Sequence, residues 1–232
     1  MRPGFRAVRD NWKPFVGLQL LGAGLVTAFY LLPAFREIAT AMANAVNRLG
    51  LTGSALAAAF AGGALPEVAR MLVAGKHYRW TKHRLNEVLF DAAFFALIGT
   101  MVALFYRLQT QLFGAEASVS VAVKKMLFDQ LVFTAFCSIP ITAVLYRWHE
   151  LHYNARATLR EIGPAFFLNR FLPVLIPAWC YWVPANLATY ALPPVAQFLL
   201  YLGAQAAWSL LLVVIASNRG ATQPAQVEPV PL

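Results

Sequence analysis

The sequence has few charged residues and few cysteines, and each shortage excludes a class of protein. Charged residues make up 12% of the 232 residues, whereas an average soluble domain is about a quarter charged. Cys137 and Cys180 form no CxxC pair, so neither a disulfide framework nor a cysteine metal site is indicated. Walker A, GxSxG and GxGxxG patterns are missing, and the HExH at 149–152 is one residue short of the HExxH metalloprotease spacing. We therefore expect no enzyme, no cofactor and no metal.

Apolar residues take the place of the missing charges. They make up 59% of the chain, the mean hydropathy is +0.58, and a membrane-spanning helix needs about 20 mostly apolar residues. The sequence predicts an all-α, polytopic transmembrane bundle of about six segments, with five as the alternative. The fifth segment contains three prolines and is expected to be kinked. The predicted segments are 15–33, 52–74, 88–106, 126–146, 165–191 and 195–217.

Most of the remaining charge is positive, giving a net charge of +9. With six spans, most of the 19 Lys and Arg residues fall on the side that holds both termini. By the positive-inside rule, both termini then face the matrix or cytoplasm. No basic patch occurs outside the apolar segments in the aromatic context typical of nucleic-acid binding, so we expect the lipid bilayer as partner and no nucleic acid.

Small residues suggest which span is central. Ser54, Ala58 and Gly62 recur every four residues in the second span, and small residues let membrane helices approach closely. We therefore expect this helix to be the closely packed centre of the bundle.

Four ionisable residues fall within the predicted spans on the side of the termini: Glu67, Arg70, Asp91 and Arg170. Charges at membrane depth are costly and usually face the bundle interior. Two acids and two bases could form one balanced cluster. That cluster would either tie three helices together or line a solute path, and the sequence leaves both open.

The stretch KKMLFDQLVF, residues 124–133, places Asp129 and Gln130 in the fourth span on the opposite side. Asp129 follows Lys125 by one helical turn, about 6 Å along the axis. A lysine at the membrane interface can extend its side chain toward such a carboxylate. We therefore expect Asp129 near the interface, paired with Lys125 or Arg107.

This stretch also carries a resemblance. Lysine, a short apolar run, Asp-Gln and an aromatic residue resemble a motif of the Mpv-seventeen and twenty-two-kilodalton peroxisomal membrane protein family. The matching residues are Lys125, Asp129, Gln130 and Phe133. A second family motif is followed approximately by Trp182, Pro184, Tyr190 and Trp208. Asn186, Thr189 and Gln197 depart from it, standing where glutamine, asparagine and arginine are usual.

The resemblance covers about residues 50–217. Residues 1–49 form a basic N-terminal segment with an additional helix, and 218–232 form a proline-rich tail that we expect to be flexible. The resemblance implies a protein of the mitochondrial inner membrane, with a peroxisomal or other organelle membrane as the alternative. The additional helix, the proline-rich tail and the departures from the second motif favour a non-catalytic accessory subunit of a larger membrane assembly, bound to other membrane proteins. A weakly selective small-solute channel, which is what the resemblance itself implies, is the alternative.

Overall fold

The protein is all-helical over the residues that the structure describes. This computed structural model describes residues 12–222, although the side chains at 14, 15, 73, 77, 169–174, 176, 177 and 211–222 lie outside that description. The α-helices, in chain order, are α1 Trp12–Leu31, α2 Pro33–Arg48, α3 Gly50–Ala59, α4 Leu65–Ala74, α5 Lys82–Phe113, α6 Val119–Phe128, α7 Ile139–Glu150, α8 Ala155–Glu161, α9 Pro164–Tyr190 and α10 Pro194–Thr222. Two π-helical segments, π1 Phe60–Ala64 and π2 Asp129–Ser138, join α3 to α4 and α6 to α7, and a 3-10 turn covers Gly75–His77.

Three continuous helical stretches within the described part are long and apolar enough to cross a membrane. They are Gly50–Leu72, Lys82–Phe113 and Val119–Glu150. A fourth span exists if Val16–Leu31 and Pro33–Arg48, which are bent by 105° at their junction, together count as one. The outer faces of these helices expose large apolar side chains such as Leu72 and Phe136, as expected for surfaces in contact with lipid. The chain is therefore an integral membrane protein with three to four candidate spans.

The predicted count of six is not reached in the described part of the chain. The fifth and sixth predicted segments correspond to α9 and α10, which include side chains outside the description. Both segments are helical, and the break predicted at Pro193 and Pro194 separates them. The helical assignment is continuous across the three prolines of α9, and the predicted kink stays a prediction.

Two further predictions concern the parts outside the family-like region. Residues 34–48 were expected to connect two spans without crossing the membrane, and they form the amphipathic helix α2, which buries Ala39 and Ala43. A proline at the first position of α2 favours a helix start there. The predicted flexible tail begins within α10, which continues to Thr222, and residues 223–232 lie outside the described part.

Each π-helical segment ends two residues before a proline. Pro66 and Pro140 both occupy the second position of the α-helix that follows. A proline inside a helix removes one hydrogen-bond donor and its ring clashes with the carbonyl four residues earlier. A locally wider turn with i→i+5 hydrogen bonds relieves that clash. The two prolines therefore account for the position of both π segments, and Asp129 is the first residue of the longer one.

The second predicted span packs closely against the third, as the spacing of small residues indicated. Ser54, Ala58 and Gly62 are all buried. A Cβ added at Gly62 would lie 2.2 Å from the ring of Phe95, and a Cβ at Gly99 would lie 2.1 Å from the Cβ of Ala58. Real Cβ atoms do not approach other atoms so closely. Only the hydrogen atom of a glycine therefore fits between the two helices at these positions.

We predict that Gly99→Ala lowers the free energy of unfolding by about 1–3 kcal/mol, because the added methyl group overpacks the contact with Ala58. The matched control is Gly24→Ala in α1, where a Cβ meets no atom within 4 Å. This control is expected to be neutral or to stabilise by up to about 1 kcal/mol, because alanine is the better helix former. Denaturation of both variants in the same detergent measures the difference, and equal stabilities would contradict the packing.

Candidate functional site

The carboxylate of Asp129 lies inside the bundle and is surrounded by neutral hydrogen-bond donors. The Tyr190 hydroxyl donates to Oδ2 at 2.5 Å. The Thr134 hydroxyl donates to Oδ1 at 3.2 Å, and the Gln130 side-chain amide donates to the same oxygen at 3.1 Å. The side chain of Asn186 is a fourth polar group at this carboxylate. All five side chains are at least nine-tenths buried, so the negative charge is held by hydrogen bonds within the protein.

The local helix geometry explains part of this arrangement. Thr134 follows Asp129 by five residues, and the i→i+5 hydrogen bonding of a π-helix brings residues at that spacing toward the same face. Tyr190 and Asn186 come from α9, one turn apart, so both reach the carboxylate from one face of that helix. Asp129 is thus joined to its own helix and to a helix about 60 residues later in the chain.

Asp129 is not paired with the cations that the sequence suggested. Lys125 is 1% exposed, and its ammonium donates to the Thr110 hydroxyl at 3.4 Å. Within the described part of the chain, no cation lies within ion-pairing distance of Asp129. The predicted pairing with Lys125 or Arg107 is therefore wrong. The buried hydroxyl of Tyr190 reaches the carboxylate instead.

Asp129 borders a cavity of about 440 Å³ that is lined by residues of α5, π2, α7, α9 and α10. Gln130, Phe133, Trp182 and Trp208, all predicted from the family motifs, line the same cavity. The two motifs are more than 45 residues apart in sequence, and the fold brings them to one place. Lys125 and Pro184 are not among the lining residues of the described part.

Two polar groups at the cavity have no hydrogen-bond partner within the described part of the protein. They are the Gln130 side-chain oxygen and the Tyr201 hydroxyl. Gln130 is 3% exposed and Tyr201 is 5% exposed. Leaving a buried polar group unpaired costs about 1–3 kcal/mol. Both residues line the cavity, although the two unpaired atoms are themselves almost completely covered by other protein atoms.

Three of the four predicted ionisable residues lie among the described side chains, and they make two kinds of contact. Glu67 is 2% exposed and accepts a hydrogen bond from Arg70 at 2.7 Å and another from the Tyr78 hydroxyl. Burial and the hydrogen bond to Glu67 raise the pKa of Tyr78 above its ordinary value. This group joins α4 to the turn that follows it.

Asp91 forms the second contact. It accepts a hydrogen bond from the Tyr146 hydroxyl at 2.9 Å and lies within electrostatic range of Arg70. The side chain of Arg170 lies outside the described residues. None of Glu67, Arg70 and Asp91 is among the described residues that line the large cavity. Of these contacts, the hydrogen bond between Asp91 and Tyr146 joins two helices, α5 and α7, and the choice between the two alternatives stays a prediction.

Comparison with protein-family models, with curated proteins and with solved structures found no match to the chain. The resemblance to the Mpv-seventeen family therefore depends on the motif residues alone.

We predict different effects for two buried tyrosines at the site. Tyr190→Phe removes the hydrogen bond to Asp129 and should destabilise the protein by about 0.6–1.7 kcal/mol, from the average to the maximum found for hydrogen bonds between membrane helices. Tyr201→Phe is the matched control. It removes a buried hydroxyl oxygen that has no partner, so it should leave the stability unchanged or raise it, because the cost of burying an unpaired polar group is lost. Thermal denaturation in one detergent compares the two, and the reverse order would contradict the assigned bond.

Proposed function

We propose that this protein provides a path for a small polar solute through a membrane helix bundle, without catalysing a reaction. The observation that carries the proposal is the position of Tyr106. Its side chain lines the 440 Å³ cavity and also a second cavity of about 330 Å³. Two cavities that share one aromatic lining residue have the arrangement expected of an interrupted path.

The second cavity is also lined by polar side chains, and these come from four different helices. They are Asn47, Ser54, Arg107, Thr110, Gln111 and Gln197. Arg107 is exposed, so this cavity approaches the surface near it. Polar side chains at membrane depth are costly unless they meet each other, water or a solute. A water-filled second cavity explains why several of them are kept together here.

Tyr106 is held in place by other aromatic rings. Its ring centroid is 5.3 Å from that of Tyr190 and 6.2 Å from that of Tyr201, both in edge-on geometry. Tyr190 in turn donates its hydroxyl to Asp129. The barrier between the cavities is therefore connected to the buried carboxylate through one side chain. Movement of Tyr106 would join the two cavities.

The proposal selects the channel over the accessory subunit, because a cavity that is lined by a carboxylate and several other polar side chains can hold a polar solute. The location follows the resemblance: the mitochondrial inner membrane, or another organelle membrane. The accessory-subunit function is the second candidate. It is favoured by the N-terminal helix α1, which lies outside the family-like region. This helix packs on α9 through a hydrogen bond from Gln19 to the Tyr181 carbonyl and exposes Leu20 and Leu21.

We predict that Tyr106→Ala raises the flux of a small neutral solute severalfold in proteoliposomes, because it removes the ring that separates the cavities. Efflux of radiolabelled glycerol measures this. Leu104→Ala is the matched control, since Leu104 lies on the same helix with an exposed side chain that lines neither cavity. Its flux should equal that of the unaltered protein.

The same preparation separates the two candidate functions. If neither Tyr106→Ala nor the unaltered protein conducts above empty liposomes, the channel proposal fails. Migration of the native protein with a large complex on a native gel after mild detergent extraction would then favour the accessory subunit.

A further inference from the structure

We infer that the 440 Å³ cavity binds a small organic ammonium ion that carries a hydrogen-bond donor. The inference rests on the proposed function, in which this cavity holds a solute, and it names the chemical class of that solute. It is argued from three properties of the cavity wall: its charge, its aromatic faces and its unpaired polar atoms.

The charge of the wall excludes anions and favours cations. Asp129 is the single charged residue among the described residues that line the cavity. Its oxygens accept hydrogen bonds from hydroxyl and amide donors, and these bonds favour the ionised carboxylate against the effect of its burial, which favours the neutral acid. A negative charge without a cation partner attracts a positive guest in the cavity and repels a negative one, and the mostly apolar wall screens this interaction less than bulk water does.

The aromatic side chains supply the second property. Eight of the 19 lining residues are aromatic, among them Trp182, Trp208 and Tyr201. Trp182 lies 6.1 Å from Tyr201 and 6.4 Å from Trp208, measured between ring centroids. The negatively polarised faces of such rings attract ammonium groups, and this attraction is strongest for tryptophan and for sites without water. An acid beside clustered rings is the combination that recognises organic cations.

The hydrogen bonds of Asp129 decide which kind of ammonium fits. Because protein donors already bond both oxygens of the carboxylate, the guest is held by charge and by ring faces. It does not need an N–H group directed at the acid. A quaternary ammonium ion therefore binds as well as a primary one.

The unpaired polar atoms account for the donor on the guest. The Gln130 side-chain oxygen accepts no hydrogen bond within the described part of the protein. Gln130 lines the cavity, so a rotation of its side-chain amide would present this oxygen to a hydroxyl on the guest. Choline has both features, a quaternary ammonium group and a hydroxyl, and it serves as the probe.

The test compares choline with 3,3-dimethylbutan-1-ol, in which a carbon atom replaces the charged nitrogen. Both are titrated into the purified full-length protein in nanodiscs, and binding is followed by isothermal titration calorimetry and by tryptophan fluorescence. Choline should bind about tenfold or more tightly than the alcohol, the combined effect of ring faces and a nearby opposite charge. The anion 3,3-dimethylbutanoate should bind more weakly than either.

Variants show which side chains cause the preference for choline over the alcohol. Asp129→Asn should weaken choline binding and leave binding of the alcohol unchanged, and Trp182→Leu should weaken choline more than the alcohol. Glu87→Gln is the matched control, because it removes one negative charge from a residue paired with Arg84 away from the cavity. It should change neither affinity. If Asp129→Asn fails to fold, the choline-to-alcohol ratio of the unaltered protein still decides.

Equal binding of choline and the alcohol would overturn the inference and leave the proposed solute path intact. Tighter binding of the anion, or no binding of choline, would also overturn it. The glycerol flux assay tests the proposed function separately. Binding in nanodiscs requires no transport, so either proposal can fail without the other.

Discussion

The hydrogen bond between Asp129 and Tyr190 is the contact on which the interior of the bundle depends. It joins π2 to α9, and Tyr190 also packs against Tyr106, the residue between the two cavities. A carboxylate in the interior of a membrane protein is stable only when its charge is shared with donors. Once Asp129 is buried, the positions of Tyr190, Thr134 and Asn186 follow from its need for donors. The cavity beside it takes its negative charge from the same group.

Pro140, the second residue of α7, has a consequence for this contact. Pro140 favours the wider π-helical turns that precede it, and those turns begin at Asp129. Within them, Thr134 bonds the carboxylate five residues earlier. A regular α-helix would direct Thr134 elsewhere and leave one oxygen of Asp129 with fewer donors. The π-helical turns therefore supply one of the hydrogen bonds that the buried carboxylate needs.

The sequence predicted the membrane class, the helical fold and the small-residue contact, because hydropathy and the spacing of Ser54, Ala58 and Gly62 are local patterns. It also marked Asp129, Gln130, Trp182 and Trp208 through two motifs. It could not predict that the motifs meet, since contact between π2 and α9 depends on tertiary packing. The expected Asp129–Lys125 pair came from ideal α-helix spacing, which gave no sign of the distant Tyr190. The helix α2 was missed because its charged residues were interpreted as a connection.

The central claim is that the cavity beside Asp129 is open to water within the membrane. Labelling of single cysteines in proteoliposomes tests this most directly, in a background where Cys137 and Cys180 are replaced by serine. Ser138→Cys lines the cavity, whereas Phe136→Cys two residues earlier is 77% exposed on the outer, lipid-facing surface. A membrane-impermeant, water-borne thiol reagent should modify the cysteine at 138 and leave that at 136 unmodified. Equal protection of both positions would show a dry cavity and contradict the account.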